Sequence, residues 1–247
     1  MKFIFVLMLI FSSQVFAQSV NLPDWNYKIT DIAKLNVKKE VLYSQMNREF
    51  IKTGESICSN RALMWVNDFK VNYNIDAAKV FLFYTGKTGR VGRKTWWYHV
   101  TPVVNENGAL WTMDAGFGGW ISNPLSIQDW FFEFAGTKNC QEIKANQTEL
   151  IERMFVTTVF PETTQYGKAD CYYHVAPAGY WTPESVAMGL LGKDYEGKPV
   201  HYVRDGVDDG DLYQACVEAS TSSFGRVFGG NKKKCQAYVN SGRYPRN

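Results

Sequence analysis

Histidine and cysteine, the residues that most often carry enzyme chemistry or hold a metal, are scarce in this sequence. There are three histidines and five cysteines. No two cysteines have the C-x-x-C spacing of structural zinc sites, and the aspartates between residues 205 and 211 fit a calcium-binding loop poorly. A net charge of +3 gives no marked positive excess for binding nucleic acid. We therefore expect no metal, no cofactor and no nucleic-acid partner.

Long hydrophobic runs are also missing beyond the first residues. Lys2 is followed by an unbroken apolar run over residues 3–11, which is too short to span a bilayer, and Ala17 offers a small residue at a cleavage position. Residues 1–17 are therefore predicted to be a secretory signal peptide, and an uncleaved anchor is the alternative. We expect a secreted or periplasmic protein without stable membrane association.

The remaining residues, 18–247, have the composition of a globular protein. Aromatic residues are plentiful, with 8 Trp, 14 Tyr and 16 Phe in the whole sequence. No linker or internal repeat divides this segment. We predict a single domain with a core of about residues 40–135 and a C-terminal subdomain of about residues 136–247.

The hydrophobic pattern predicts an α+β fold in which an antiparallel sheet packs against a helix. Runs 96–104 and 109–114 flank Asn-Glu-Asn-Gly, a strong hairpin turn, and residues 80–84 form a third apolar strand. Apolar residues at helical spacing, with capping signals, predict helices over residues 38–51, 56–69, 126–134, 147–156, 183–191 and 211–221.

The cysteine count is odd, so at least one cysteine has no partner within the chain. Four cysteines lie in the C-terminal half, whereas Cys58 stands alone in the N-terminal half. In an exported protein the late four are expected to form disulfides, with three pairings open. Cys140–Cys171 and Cys216–Cys235 are favoured because they close the shorter loops. This leaves Cys58 as a free thiol beside a disulfide-stabilised C-terminal half.

Cys58 stands at the predicted N-terminus of a helix. The positive end of the helix dipole favours the thiolate, which is the nucleophilic form. The first backbone N–H groups, those of Cys58 and Ser59, have no partner within the helix and can stabilise an oxyanion. The alternative is that Cys58 is a small buried core residue. A free thiol in an exported protein favours the functional interpretation.

His99 and Asp114 lie on the two arms of the predicted hairpin. We interpret His99 as the general base for Cys58, and Asp114 as the carboxylate that orients its imidazole. His174, whose neighbours repeat those of His99, is the reserve candidate, and His201 has the least support. The alternative for Asp114 is a solvated residue at a strand end.

A family resemblance is carried by Cys58, Trp97-Tyr98-His99-Val100 and Met113-Asp114. This stretch, about residues 50–120, resembles the bacterial protein-glutaminase (protein-glutamine deamidase) family, which is related to transglutaminases and papain-like enzymes. The resemblance implies a papain/transglutaminase-like core with Cys58, His99 and Asp114 as its catalytic triad. We also expect Trp97 and Tyr98 to contact the substrate. The resemblance does not extend to residues 140–247.

The resulting hypothesis is a secreted cysteine hydrolase with one catalytic domain. It would deamidate exposed glutamine side chains of proteins or peptides to glutamate, with release of ammonia. The same acyl-enzyme chemistry leaves a transglutaminase or a papain-like protease open. A hypothesis of another class is a secreted binding module with a degenerate site, using the many aromatic residues, the Gly-rich basic loop at residues 86–94 and the basic C-terminal segment.

Overall fold

A mixed β-sheet carries the fold. The computed structural model describes residues 27–48, 58–84, 98–117, 121–156, 171–199, 207–220 and 232–241. The strands are β1 (Ala78–Tyr84), β2 (Tyr98–Glu106), β3 (Ala109–Thr112), β4 (Leu125–Ser126), β5 (Gln141–Glu142) and β6 (Cys171–Pro177). The helices are α1 (Lys39–Ser44), α2 (Cys58–Tyr73), α3 (Ile127–Ala135), α4 (Thr148–Val156), α5 (Pro183–Leu191), α6 (Asp209–Ser220) and α7 (Lys232–Ser241).

The strand order within the described residues is β4-β3-β2-β1-β6-β5. All neighbours are antiparallel except β5 and β6, which are parallel. The α+β class is as expected, and the predicted antiparallel sheet gains this one parallel pair. The predicted hairpin is β2–β3, whose turn residues Asn107 and Gly108 have φ of 55° and 83°. Asparagine and glycine tolerate this left-handed backbone, which explains the turn sequence.

Most helix predictions are close to the observed bounds because local signals specify them. The predicted helix 183–191 has the bounds of α5, where the Thr182 hydroxyl accepts a hydrogen bond from the Ser185 amide and Pro183 occupies the first turn. The helix bearing Cys58 continues to Tyr73, one turn beyond the predicted residue 69. The first predicted helix, 38–51, was too long, because α1 ends at Ser44 and residues 45–48 are not helical. Its residues 49–51 and the predicted Gly-rich loop 86–94 lie outside the described residues.

β4, β5, β6 and α7 were not predicted. β6 lies beside β1, so the C-terminal half contributes a strand to the centre of the sheet. α7 begins with three lysines, in the basic C-terminal segment that the binding-module hypothesis assigned to a partner surface. Its helix is held by tertiary contacts, since Cys235 and Tyr238 are fully buried and the Tyr238 hydroxyl donates to the carbonyl of Met64 on α2. Packing, not propensity, decides the structure of such a segment.

The repeated Tyr-His-Val pattern flanks β1 on both sides, but with different registers. Leu82 of β1 stands opposite His99 of β2, whereas Phe81 stands opposite His174 of β6. A shift of one residue moves a side chain to the other face of a sheet. The two histidines therefore point to opposite faces.

Different helices cover the two faces of the sheet. Leu82 shares an apolar cluster with Trp130 and Phe134 of α3, and this cluster covers the His99 face. Phe81, Phe83, Val100 and Tyr172 belong to the cluster of the other face, which includes Cys58 and Ala62 of α2 together with residues of α4 and α5. The rest of α2 packs with residues of α6 and α7.

The structure contains two disulfides and a buried free cysteine, Cys58. Cys140–Cys171 ties the segment before β5 to the first residue of β6. Cys216–Cys235 joins α6 to α7. These are the two pairings that close the shorter loops. None of the helices in the described ranges has the length and apolar character needed to cross a bilayer.

Candidate active site

Cys58 lies beside β2, at the part of its edge that β3 does not cover. β3 pairs with β2 only between Val103 and Glu106, and the last backbone contact is the Met113 amide donating to the Pro102 carbonyl. The backbone of Val100, two residues before Pro102, points to the same side. Its amide donates a hydrogen bond to the Cys58 sulfur instead of to a strand. Because β3 is short, this part of the edge of β2 is open to the Cys58 thiol.

His99 reaches the thiol around this edge. The side chain of His99 is on the α3 face, whereas Cys58 packs in the cluster of the opposite face, yet the thiol and the imidazole are close enough for each to shift the pKa of the other. We expected the helix N-terminus to face the strand. The N-terminus of α2 stands beside the strand instead. Side chains alternate between the two faces along β2, so a thiol packed over the face opposite His99 would be separated from the imidazole by the sheet.

Asp114 fixes the orientation of the imidazole. His99 Nε2 lies 2.7 Å from Asp114 Oδ2, and both side chains are fully buried. Because the carboxylate is an acceptor, Nε2–H donates to it, which leaves Nδ1 to face the sulfur of Cys58. The rings of Phe134 and Trp130 pack on the imidazole, at centroid distances of 4.5 and 5.3 Å.

Three donors converge on the Asp114 carboxylate. Besides His99, Trp130 Nε1–H donates to Oδ2 at 3.0 Å and the Gly116 amide donates to Oδ1 at 3.3 Å. The Tyr43 hydroxyl, 2.9 Å from the Asp114 carbonyl, holds the backbone of the same residue. The buried Asp114 carboxylate thus accepts hydrogen bonds from three groups of the protein, unlike a solvated residue at a strand end.

The electrostatics favour a charged pair. Burial raises the pKa of the Cys58 thiol, but the hydrogen bond and the charge of His99, helped by Arg61, outweigh burial and lower it. Burial lowers the pKa of His99, but the charge and hydrogen bond of Asp114 and the contact with Cys58 raise it to about 9. Both shifts favour the thiolate and the imidazolium over the neutral pair, and the thiolate is the form that a cysteine nucleophile requires.

Alkylation of Cys58 by iodoacetamide tests this charge state. We expect the second-order rate to remain near its plateau well below the pKa of ~8.5 of an ordinary thiol, because the thiolate persists there. The measurement is the rate against pH from 4 to 10, followed by mass spectrometry of the peptide. The same chain in denaturant with its disulfides intact is the control, and should titrate as an ordinary thiol. An identical midpoint in the folded and denatured chains would contradict the charged pair.

Two residues at this site, Arg61 and Trp130, were not predicted. Arg61 is 7% exposed and lies one turn after Cys58 on α2. Its signal was present in the sequence, as a charged residue inside the apolar stripe of a helix. Trp130 comes from α3, 16 residues after Asp114. Its role could not be found from the sequence, since only the packing of α3 on the sheet brings its indole to the carboxylate.

The residues predicted around the triad are only partly described. The Tyr98 hydroxyl lies 3.2 Å from the Ser59 hydroxyl. Burial and the charge of Cys58 raise the pKa of Tyr98, so its hydroxyl stays protonated close to the thiol. Trp97 lies outside the described residues. The backbone N–H groups of Cys58 and Ser59 lie in the first turn of the described part of α2.

The other histidines do not join this arrangement in the described structure. His174 is buried on the opposite face of the sheet and its Nδ1 lies 3.1 Å from the Ile143 carbonyl. Burial lowers the pKa of His174 to about 4, so it is neutral at physiological pH. His174 is therefore a core residue with a backbone partner rather than a reserve base. His201 lies outside the described residues.

The described residues contain no group of three His, Cys, Asp or Glu side chains that could hold a metal ion. The acidic segment near α6 has a local structural role instead. Asp208 Oδ1 accepts hydrogen bonds from the amides of Gly210 at 2.8 Å and Asp211 at 3.3 Å. Asp208 thus caps the N-terminus of α6.

Comparisons with known proteins add little to this geometry. No protein-family model matches the chain, and no curated protein matches it. Among solved structures, the NMR structure of protein-glutaminase from Chryseobacterium proteolyticum matches with a TM-score of 0.39 and 16% sequence identity, over 76% of this chain and 85% of that chain. Backbones compared at this TM-score differ widely, so the proposal below depends on this chain's own residues.

Proposed function

We propose that the protein is a cysteine hydrolase that deamidates glutamine side chains of proteins. The observation that carries the proposal is the buried series Cys58–His99–Asp114, in which His99 is hydrogen-bonded to Asp114 and interacts with the Cys58 thiol in the first turn of α2. A nucleophile in contact with a base, and the base held by a carboxylate, is the arrangement that acyl transfer requires. Glutamine as the substrate follows from the resemblance of the Cys58, His99 and Asp114 segments to protein-glutaminases.

In the first half of the reaction the Cys58 thiolate attacks the carbon of the side-chain carboxamide. The carbonyl oxygen becomes an oxyanion, which the backbone N–H groups of Cys58 and Ser59 stabilise. The carbon–nitrogen bond then breaks. The proton from the His99 imidazolium passes to the leaving nitrogen, so ammonia departs and a thioester remains.

In the second half a water molecule attacks the thioester carbon. His99, now neutral, takes the proton of the water, and Asp114 stabilises the imidazolium that forms. Collapse of the tetrahedral intermediate breaks the carbon–sulfur bond, restores the Cys58 thiolate and releases glutamic acid, whose carboxyl proton passes to the solvent to give glutamate. No cofactor enters this sequence.

The surroundings of the site support an exported enzyme with one catalytic domain. Two disulfides suit an oxidising compartment, which is consistent with a secreted or periplasmic protein. β6 pairs with β1 and completes the sheet that carries His99. Residues 18–247 therefore act as one catalytic unit in this proposal, with the C-terminal half as part of its scaffold.

The identity of the products distinguishes the proposal from a transglutaminase or a protease. A purified protein rich in exposed glutamine is incubated with the full chain. We expect ammonia release in amounts equal to the glutamine converted to glutamate by peptide mass spectrometry. New peptide termini would indicate a protease, and crosslinked products with an added amine would indicate a transglutaminase. A sample alkylated at Cys58 is the control, and ammonia release from it at the original rate would rule out this mechanism.

A further inference from the structure

The buried charges of the triad do not balance by themselves. A thiolate at Cys58, an imidazolium at His99 and a carboxylate at Asp114 together carry one net negative charge. All three side chains are buried or nearly so. An uncompensated charge in a protein interior is costly and tends to be removed by protonation. Keeping the charged form therefore calls for a positive group close to both anions.

Arg61 is a positive group that lies close to both anions of the triad. It lies three residues after Cys58 on α2, so both side chains share a helix face. A methyl group placed on Gly116 would lie 3.1 Å from Arg61 Nε and 3.3 Å from Asp114 Oδ1. The guanidinium and the carboxylate therefore border the same small space beside Gly116. The charge of Arg61 acts on both anions, lowering the pKa values of Cys58 and Asp114 against the effect of burial.

No other buried Arg or Lys in the described part of the chain can serve this purpose. Within those residues, Arg61 and Lys79 are the buried Arg and Lys side chains. Lys79 pairs with Pro102 in the register of β1 and β2, so it is on the face of Phe81 and Cys58 rather than on that of His99. The charge that acts on Lys79 is that of Asp211, not that of the triad.

We propose that Arg61 is a positioning residue whose buried guanidinium keeps the triad in its charged, reactive form. The inference rests on the proposed function, because the charged triad is the resting state of that mechanism. Arg61 would act through Cys58 and Asp114 without touching the substrate. Gly116 belongs to the same arrangement, since a Cβ there would require the guanidinium or the carboxylate to shift by a few tenths of an ångström.

The groups that set this charge state come from several elements. Facing the thiol are His99 and Tyr98 of β2 and Arg61 of α2. Facing the carboxylate are His99, Trp130 of α3, Arg61 and Tyr43 of α1. Among these groups Arg61 is the permanent cation, because a guanidinium is not deprotonated in proteins.

The test is the pH dependence of Cys58 alkylation in two variants of the full chain. Arg61→Gln should raise the midpoint of the rate profile by about one to two pH units, the effect expected from losing an opposite charge within a few ångströms. Gly116→Ala should raise it in the same direction by less, because the guanidinium keeps its charge but moves away. Arg61→Lys should lie between Arg61→Gln and the unaltered protein.

Lys70→Gln is the matched control. Lys70 is a cation on the same helix, but it is exposed and paired with the exposed Asp76, so the midpoint should not move. Unshifted midpoints in both Arg61→Gln and Gly116→Ala would overturn the inference. Should Arg61→Gln fail to fold by circular dichroism, the Gly116→Ala result decides alone.

This readout is independent of the substrate. An unaltered protein that releases no ammonia from glutamine would refute the proposed function while the alkylation shifts still stood. Shifts that are absent in a protein that does release ammonia would refute the role of Arg61 and leave the proposed function intact. The two failures are therefore distinguishable in the same set of samples.

Discussion

Replacing Cys58 by Ala is expected to reduce ammonia release to the background, a loss on the order of 10⁵–10⁶-fold. The thiolate is the atom that bonds to the carboxamide carbon, and no neighbouring side chain among the described residues can replace it at this edge of β2. The His99–Asp114 pair is left in place. Any remaining activity would therefore measure what this pair achieves by activating water directly.

The measurement is the rate of ammonia release from a glutamine-rich protein, with thermal unfolding in parallel. Cys58 is 8% exposed and small, so alanine leaves little empty volume and the variant should remain folded. Cys58→Ser is the matched control for shape, and its poorer nucleophile should also be nearly inactive. A Cys58→Ala loss of only tenfold or so would show that the thiol is not the nucleophile.

Asp114→Asn is expected to lower kcat/KM by about 10³–10⁴-fold, the size of effect seen when the carboxylate of a triad is replaced by an amide. The change keeps the shape but not the three hydrogen bonds. With its oxygen towards His99 and Trp130, the amide NH₂ must face the amide of Gly116, a second donor. With the opposite orientation the NH₂ group faces two donors, those of His99 and Trp130.

The same change should alter the pH profile. Burial lowers the pKa of His99, and Asp114 makes the largest opposing contribution, which raises the value to about 9. Without the carboxylate charge the pKa of His99 falls, so the imidazolium is lost as pH rises through a lower value. The Cys58 thiolate then loses its partner, and the midpoint of Cys58 alkylation should move to higher pH.

Steady-state kinetics and alkylation across pH 5–9 check both effects. Asp76→Asn is the control, because Asp76 is an exposed aspartate paired with Lys70 and distant in sequence from the triad. It should leave kcat/KM and the alkylation profile unchanged. Near-normal activity of Asp114→Asn would show that Asp114 is a structural residue and that another group orients His99.

Local sequence patterns predicted the elements that carry the site. Helix α5 has its predicted bounds because Thr182, Pro183 and Ser185 are local capping signals. The β2–β3 hairpin follows from Asn107-Gly108, whose backbone needs those residues. The spacing of the late cysteines also indicated the two disulfides, since short loops close most readily.

Features that depend on strand partners could not be predicted in this way. The sequence offers His99 and His174 in nearly the same context, and only the registers of β2 and β6 against β1 send them to opposite faces. Which strands pair, and in which register, depends on contacts far apart in the sequence. The strand β6 was missed for the same reason, because its place is decided by β1.

The sequence by itself determined that Cys58 is a free thiol at a helix start, and that a histidine and an aspartate follow on a hairpin. Tertiary structure alone decided how they meet. β3 ends at Thr112, which leaves the Val100 amide to bind the thiol at the edge of β2. The packing of α2 and α3 then brings Arg61 and Trp130 to Asp114. A sequence pattern records which face a side chain takes along its own element, whereas charge balance in an interior depends on which elements pack together.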